Sequence, residues 1–197
     1  MRVVILGAGV IAAALARAWR AAGHEITLGV RDTGRASAIP GVTMRPLPDA
    51  IGAGQVTVLA IPAGAVSEVC ERYGALLYGR IIIDPTVTFT PGGSPVMNQH
   101  AALERTGARY IRAFSTQGPE VLAAPVIDGQ AADQFYTAVD DESRELAARL
   151  ITDTGLRPVY VGGSDRVDIV DGITRLWFSL AIKQGHGRHL SFRLLAD

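Results

Sequence analysis

The sequence predicts an α/β fold with a mostly parallel sheet and helices on both faces, and three observations carry that prediction. Short β-branched runs alternate with helical patterns along the first half of the chain, the order in which strands and covering helices follow one another in a parallel sheet. A glycine-rich turn separates the first run from the first helical pattern. The second half holds a strand, an Asp-led helix, a glycine and another strand, and then a long helix with one apolar face.

In chain order, "RVVIL" (Arg2 to Leu6) is a buried-strand run, and "VIAAALARAWRAAG" (Val10 to Gly23) is an Ala-rich helix ended by glycine. In "EITLGVRD" (Glu25 to Asp32) the apolar Ile26, Leu28 and Val30 alternate with Thr27 and Gly29, and "GHE" (Gly23 to Glu25) is the turn leading in. A short extended "VTMRPL" and a strand "QVTVLAIP", stopped by Pro62, come next. The helix "AVSEVCERYGALL" then leads into "RIIIDP", which completes a βαβ series in the Rossmann manner. "TFTPGGSP" (Thr88 to Pro95) is a turn-rich loop. "QFYTAVDDESRELAARLITDTGLRPVYVG" (Gln134 to Gly162) reads strand, helix, strand. From Asp165 to Gly185, Val170, Ile173, Trp177, Leu180 and Ala181 fall three or four apart on one face of a long helix. The expected division is a dinucleotide-binding unit over 1–125 and a small α/β extension over 126–197, packed on the same body and ending in that helix.

Composition limits the function classes. With 197 residues and 48% hydrophobic content the chain can bury a substantial core. Lys+Arg and Asp+Glu are both 19, so no charge imbalance points to nucleic acid or an anionic membrane. Apolar segments are short or broken by charge, which argues against a membrane span. The single Cys70 rules out an internal disulfide and sits in an apolar helical pattern as an inert thiol, and a strand beginning at position 3 leaves no room for a leader. These features describe a soluble, cytoplasmic protein, and no metal-ligand cluster stands out.

The turn "GAGVIA" (Gly7 to Ala12) is a G-x-G-x-x-A form of the dinucleotide fingerprint. Gly7 permits the tight turn, Gly9 lets the backbone approach a pyrophosphate, and Ala12 keeps the helix close to the sheet. The free N–H groups that open the helix, at Val10 and Ile11, face the phosphates. At the end of the next strand, register puts Val30 where a ribose-binding acid is usual, and valine accepts no hydrogen bond from a diol. Arg31 follows, a guanidinium suited to a 2′-phosphate, with Thr33 and Arg35 just beyond. Counting from the glycine loop instead puts Asp32 about 20 residues on, the spacing of an NAD-type acid. Side-chain alternation is the firmer guide because loop lengths vary, so NADP(H) is favoured over NAD(H).

In "MRVVILGAGVIA", "GHEITLGVRD", "AIPAGAV", "IIIDPT", "YIRAFST", "AVDDESRELAARLITDTGLRPVYVG" and "QGHGRHLSFRLL" the chain resembles the coenzyme F420-dependent NADP oxidoreductases, whose nucleotide fold also appears in the STEAP metalloreductases. The resemblance implies that Gly7, Gly9 and Ala12 hold the pyrophosphate and Arg31 with Thr33 the 2′-phosphate. It implies that Ile61, Pro62 and Ala63 lie along the nicotinamide, which faces a deazaflavin for direct hydride transfer. Two departures fall near the second substrate: "IIIDPTVTF" replaces a D-A-T-N-P-like turn, and Ser115 stands where Asn or His is usual.

The preferred expectation is therefore hydride exchange between NADP(H) and coenzyme F420 or a flavin, chemistry in which the cofactors carry the reactivity and the protein orients them. A reductase of small carbonyl or imine compounds needs a proton donor, for which Ser115, Thr116, Tyr110 and His100 are available but form no compelling motif. A third reading is a non-catalytic NADP(H)-binding module that senses redox state. In "KQGHGRHLSFR" the residues Lys183, His186, Arg188, His189 and Arg193 suggest a basic pocket for an anionic substrate, Arg188 most of all, or else a solvated helix end. Ser115, Thr116 and Arg188 are the substrate-side candidates. The Trp177/Phe178 surface of the last helix suggests a homodimer.

Overall fold

The computed structural model describes residues 1–34 and 39–195. The first strand, β1 (Arg2–Leu6), leads into α1 (Val10–Ala21), β2 (Glu25–Val30), β3 (Thr43–Pro46), α2 (Leu47–Ala53), β4 (Val56–Leu59), α3 (Val66–Leu77) and β5 (Ile81–Asp84). A small hairpin, β6 (Thr88–Phe89) and β7 (Pro95–Val96), precedes α4 (His100–Glu104), β8 (Arg109–Arg112) and α5 (Pro119–Ala123). A second hairpin, β9 (Val126–Ile127) and β10 (Gln130–Ala131), precedes β11 (Asp133–Ala138), α6 (Asp141–Thr152), β12 (Arg157–Gly162) and α7 (Val167–Phe178).

Eight of these strands form one sheet in the order β12-β11-β8-β5-β4-β1-β2-β3. Every neighbouring pair is parallel except β8 and β11, which run antiparallel. The sheet is thus mostly parallel with helices on both faces, as the sequence predicts, and the C-terminal extension continues it instead of building a separate one.

Side-chain alternation sorts the strands into two cores. Val3 and Ile5 pack with Leu15 and Trp19 of α1 and with Leu150 and Ile151 of α6. Val4 and Leu6 face the other way, onto Ala50 and Ile51 of α2 and Val66, Val69 and Leu77 of α3. Strands covered on both sides lose their polar face, which is why "RVVIL" and "RIIIDP" read as continuous apolar runs. Trp19 is fully buried and donates its indole N–H to the Leu150 carbonyl at 2.8 Å, joining α1 to α6. The Asp-led start of α6 is a cap: Asp140 accepts the Ser143 N–H at 2.8 Å.

Two of the expected elements gain detail. The loop at Thr88 to Pro95 contains the β6–β7 pairing, closed by Thr90 and Ser94. The long final helix is present, running without a break from Ser164 to Lys183 with a 3₁₀ first turn (Ser164–Arg166), α7, and a π last turn (Ser179–Lys183). The wide π turn and the left-handed Gly185 and Gly187 swing the chain back across the sheet. The segment that follows is fastened to β11. The Asp133 N–H donates to Phe192 O, and the buried Asp133 carboxylate accepts from Arg157 and from the Leu194 N–H.

Candidate functional site

The glycine loop sits at the carboxyl end of β1, where an open parallel sheet presents its crevice. Gly7 has φ +106°, and a Cβ there would lie 2.2 Å from the Ala60 carbonyl oxygen, so both the backbone and the neighbouring strand end demand glycine. Its N–H bonds Gly29 O at 2.8 Å, which locks the loop to β2. Gly9 is different: its φ is an ordinary −79°, and a Cβ would meet nothing within 4 Å. Nothing in the protein requires a glycine there, whereas a ligand drawn close to the backbone would. Gly9 is the N-cap of α1 and supplies no side-chain hydrogen bond, so the N–H groups that open α1 point outward without a side-chain cap. Ala12, fully buried, brings α1 onto the sheet.

Beside this loop lies a cavity of about 650 Å³ at the carboxyl ends of the central strands, within the range of small-molecule and cofactor sites. Gly9, Val10 and Ile11 form one end, Ile61 and Pro62 follow β4, and Pro85, Thr86 and Val87 follow β5. The opposite side is Phe114, Ser115 and Glu120 from the segment after β8, Trp177 and Phe178 from α7, Phe89 from the hairpin, and Arg188. Phe178 stacks edge-on with both Phe89 and Trp177, ring centroids 5.0 Å apart in each pair. Phe114 has φ +62°, a strained state for a bulky residue, and its buried ring meets Trp19 edge-on at 5.7 Å. That kink turns the chain after β8 into the cavity.

Behind the wall lies a buried polar network. Arg112, at the end of β8, is fully buried; its Nη1 donates to the carbonyls of Asp84 and Thr86 at 2.9 Å each, and its Nε to Asp171 Oδ1 at 2.8 Å. Asp84 also accepts from the Thr86 N–H at 2.8 Å, the Thr86 hydroxyl at 2.6 Å and the Tyr110 hydroxyl at 3.0 Å. Burial pushes the Tyr110 hydroxyl well above its ordinary pKa, reinforced by the Asp84 charge, so it stays a neutral donor. Burial also raises the pKa of Asp171 against the opposing pull of Arg112.

Residues 2–88 match the family model described as "NADP oxidoreductase coenzyme F420-dependent". Over this unit, less than half of the chain, the sequence is similar to that family. It is 28% identical over 212 residues to the F420-dependent NADP reductase of Methanothermobacter thermautotrophicus, covering 91% of this chain and 88% of that protein. A crystal structure of a putative F420-dependent NADP-reductase from Arthrobacter sp. FB24 superposes with a TM-score of 0.85 at 20% identity and full coverage of both chains. A hypothetical protein from Sinorhizobium meliloti does so with a TM-score of 0.74 at 24% identity, covering 100% of this chain and 96% of that one. The two structural likenesses extend the fold across the whole chain.

Gly9, Val10, Ile11, Ile61, Pro62, Ser115 and Arg188 meet in the one cavity; Ala63 is buried behind it, opening a 3₁₀ turn. Arg31, Asp32 and Thr33 are exposed just past β2, and the Val30 side chain joins the apolar core. Asp32 accepts the Gly34 N–H at 2.8 Å, so one carboxylate oxygen already closes a local turn. Arg35 lies outside the described residues. Thr116 turns inward and accepts from Gln134 at 3.2 Å instead of lining the cavity.

The basic residues of the C-terminal segment do not converge. Arg188 pairs with Glu120 at 2.6 Å, His189 bonds the Ala124 carbonyl, and Arg193 donates to the Ala131 carbonyl. Partial burial works against the Glu120 carboxylate, but the Arg188 hydrogen bond and charge outweigh it and lower its pKa, so this lining acid is ionised at neutral pH. His100 is held by Glu104 and stacks on Tyr110, outside the cavity lining. Among the described residues no group of three or more His, Cys, Asp or Glu gathers as a metal site. Sequence reasoning missed Phe114, Phe89, Arg112 and Asp171. Only the run "YIRAFST" hinted at Arg112 and Phe114, and there as a resemblance without a physical role.

Proposed function

We propose that this protein is an NADP-dependent oxidoreductase that exchanges hydride between NADP(H) and a deazaflavin, coenzyme F420, or a flavin-type acceptor. The observation that carries the reading is the bare Gly9 at the uncapped start of α1, opening into an apolar, aromatic-walled cavity. In this reading Gly7, Gly9, Val10, Ile11 and Ala12 hold the pyrophosphate, Arg31 and Thr33 hold the 2′-phosphate, and Ile61, Pro62 and Ala63 flank the nicotinamide. Ser115 and Arg188 stand on the acceptor side with Phe89, Trp177 and Phe178. When bound, the dinucleotide supplies or receives the hydride at its nicotinamide, and the acceptor ring takes the other part. The chain contributes close placement of the two rings, and reacting atoms held about 3–3.5 Å apart account for several kcal/mol of barrier reduction.

The cavity favours this chemistry over carbonyl or imine reduction. Among the described residues its lining carboxyl, Glu120, is paired with Arg188 and ionised, and the Ser115 hydroxyl accepts from Thr174 at 3.1 Å, so no protonated carboxyl or imidazole among them faces the space. The unit over 1–125 is read as the dinucleotide-binding part and 126–197 as the part that completes the acceptor side. A homodimer is proposed through α7, but not on the expected Trp177/Phe178 surface: Trp177 is buried and both rings line the cavity, which leaves the exposed Ile169 and Leu176 as the available face; no helix among the described residues is long and apolar enough to cross a membrane. The buried thiol of Cys70 fits the proposed cytoplasmic setting.

The test mixes the protein and NADPH with a 5-deazaflavin, with FMN or FAD, and with ferric chelates, following nicotinamide absorbance. Turnover with the deazaflavin or flavin is expected. Turnover with cyclic imines alone would transfer the assignment to imine reduction, and tight NADPH binding with no acceptor at all would point to a sensing module.

A further inference from the structure

We infer that Arg112 and Asp171 are positioning residues that set the separation of the two walls between which the acceptor ring enters. The inference rests on the hydride-transfer reading above and assigns it a specificity device outside the cavity lining.

The two walls come from distant parts of the chain. One is Pro85, Thr86 and Val87 after β5, continuing into the hairpin that carries Phe89; the other is the end of α7 with Trp177 and Phe178. The Arg112 guanidinium touches both. Its Nη1 accommodates the carbonyls of Asp84 and Thr86, the two ends of the turn beneath the first wall, and its Nε takes Asp171, under two helical turns before Trp177. Nη2 makes no hydrogen bond among the described residues, so the group is held by the edge that faces the two walls.

The chemistry fits positioning better than stability. A buried ion pair is often no more stabilising than apolar residues of the same volume, so its use calls for a geometric reason. Here two carbonyls, one at the end of a strand and one just past it, and a carboxylate on a helix need donors in one plane, which a guanidinium supplies and a lysine ammonium does not. Phe89 and Phe178, one from each wall, meet edge-on at 5.0 Å. Sliding α7 relative to the β5 turn would move these rings and alter the slot, while the glycine loop on the far side of the sheet centre would stay in place.

Asp171→Ala cuts the tie to α7 yet leaves Asp84, 3.4 Å away, to balance the Arg112 charge. Two equilibrium constants are read: NADPH binding by tryptophan quenching, and binding of 5-deazariboflavin or FMN to NADP⁺-saturated protein by anisotropy, where no turnover occurs. Ring binding is expected to weaken about tenfold, the scale of one lost hydrogen bond to a charged group, with NADPH binding changed less than about threefold. Asp171→Asn keeps the accepting oxygen and should recover most of the ring affinity. If Asp171→Ala does not fold, Asp171→Glu, one methylene longer, tests the same spacing and should weaken the ring alone. Equal ring binding in wild type and Asp171→Ala, or proportional loss of both constants, overturns the inference. Wild-type protein that binds NADPH but neither ring overturns the hydride-transfer reading and this inference with it.

Discussion

Gly7 and Ala60 approach so closely that any Cβ on Gly7 would sit 2.2 Å from the Ala60 carbonyl oxygen, while Gly9, two residues on, faces open space. The two glycines of one motif therefore answer to different demands, one internal and one external, and substitution separates them. Gly7→Ala should destabilise the fold by several kcal/mol, because strain at positive φ adds to a steric clash. Gly9→Ala should melt within a few degrees of wild type and lose NADPH affinity by roughly tenfold or more, since the methyl fills the space a pyrophosphate needs. Thermal melts and NADPH titrations of both variants check the pair; a Gly9→Ala protein that binds NADPH normally would remove the loop from the site.

Among the described residues Arg31 has no carboxylate partner, whereas Asp32 already closes a turn with Gly34. Arg31→Ala should weaken NADPH binding by about ten- to a hundredfold, the worth of charge-assisted hydrogen bonds, and leave NADH binding unchanged. Titration with both nucleotides is the measurement. Wild-type protein that prefers NADH would assign the selecting role to Asp32.

Glu120 neutralises Arg188 at the cavity rim. Glu120→Gln should release that guanidinium and strengthen the binding of FMN relative to riboflavin by a few-fold, because only FMN carries an anionic phosphate. Equal effects on the two flavins would show that Arg188 serves Trp177, over whose ring it lies at 6.0 Å, and not the ligand.

Arg109 and Asp140 give an acid-stability signature. Hydrogen bonds from Arg109, opposed by slight burial and joined by the Ser143 N–H, hold the Asp140 carboxyl well below the usual carboxylate range. A carboxylate with a depressed folded pKa stabilises above its unfolded pKa near 4, and that stability is lost as pH falls through the folded value. Both groups are partly exposed, so solvent screening keeps the contribution to about 1 kcal/mol or less. Asp140→Asn should flatten the stability profile below about pH 4 while keeping the helix cap, and Asp140→Ala should cost about 1 kcal/mol more by losing it. Urea melts at several pH values distinguish the two.

Local pattern exposed much of this protein and long-range geometry the rest. β1, the glycine loop and α1 are contiguous, so strand length, φ freedom and alanine content were all readable in "RVVILGAGVIAAALARAW". The same holds for the Asp140 cap and α6. The antiparallel joint between β8 and β11 was not readable, because no residue of "YIRAFST" declares which strand edge it will meet. Arg112 looked like any strand arginine; its partners Asp84 and Asp171 are 28 and 59 residues away, a separation that single-sequence periodicity does not span. The basic C-terminal run read as one pocket because charge is visible in sequence and its neutralisation by Glu120 and by backbone carbonyls is not.

The segment after α7 closes the cavity by its backbone as much as by its side chains: Leu190 O holds the Trp177 indole at 2.7 Å, and Phe192 and Leu194 are sewn to Asp133. The glycine-loop side is likewise braced from the second half of the chain, through Trp19 and Leu150, so during synthesis both sides of the cavity wait for distant residues to emerge. In the proposed reading, a chain clipped before Arg188 would keep the glycine loop and lose both Arg188 and the backbone brace on Trp177.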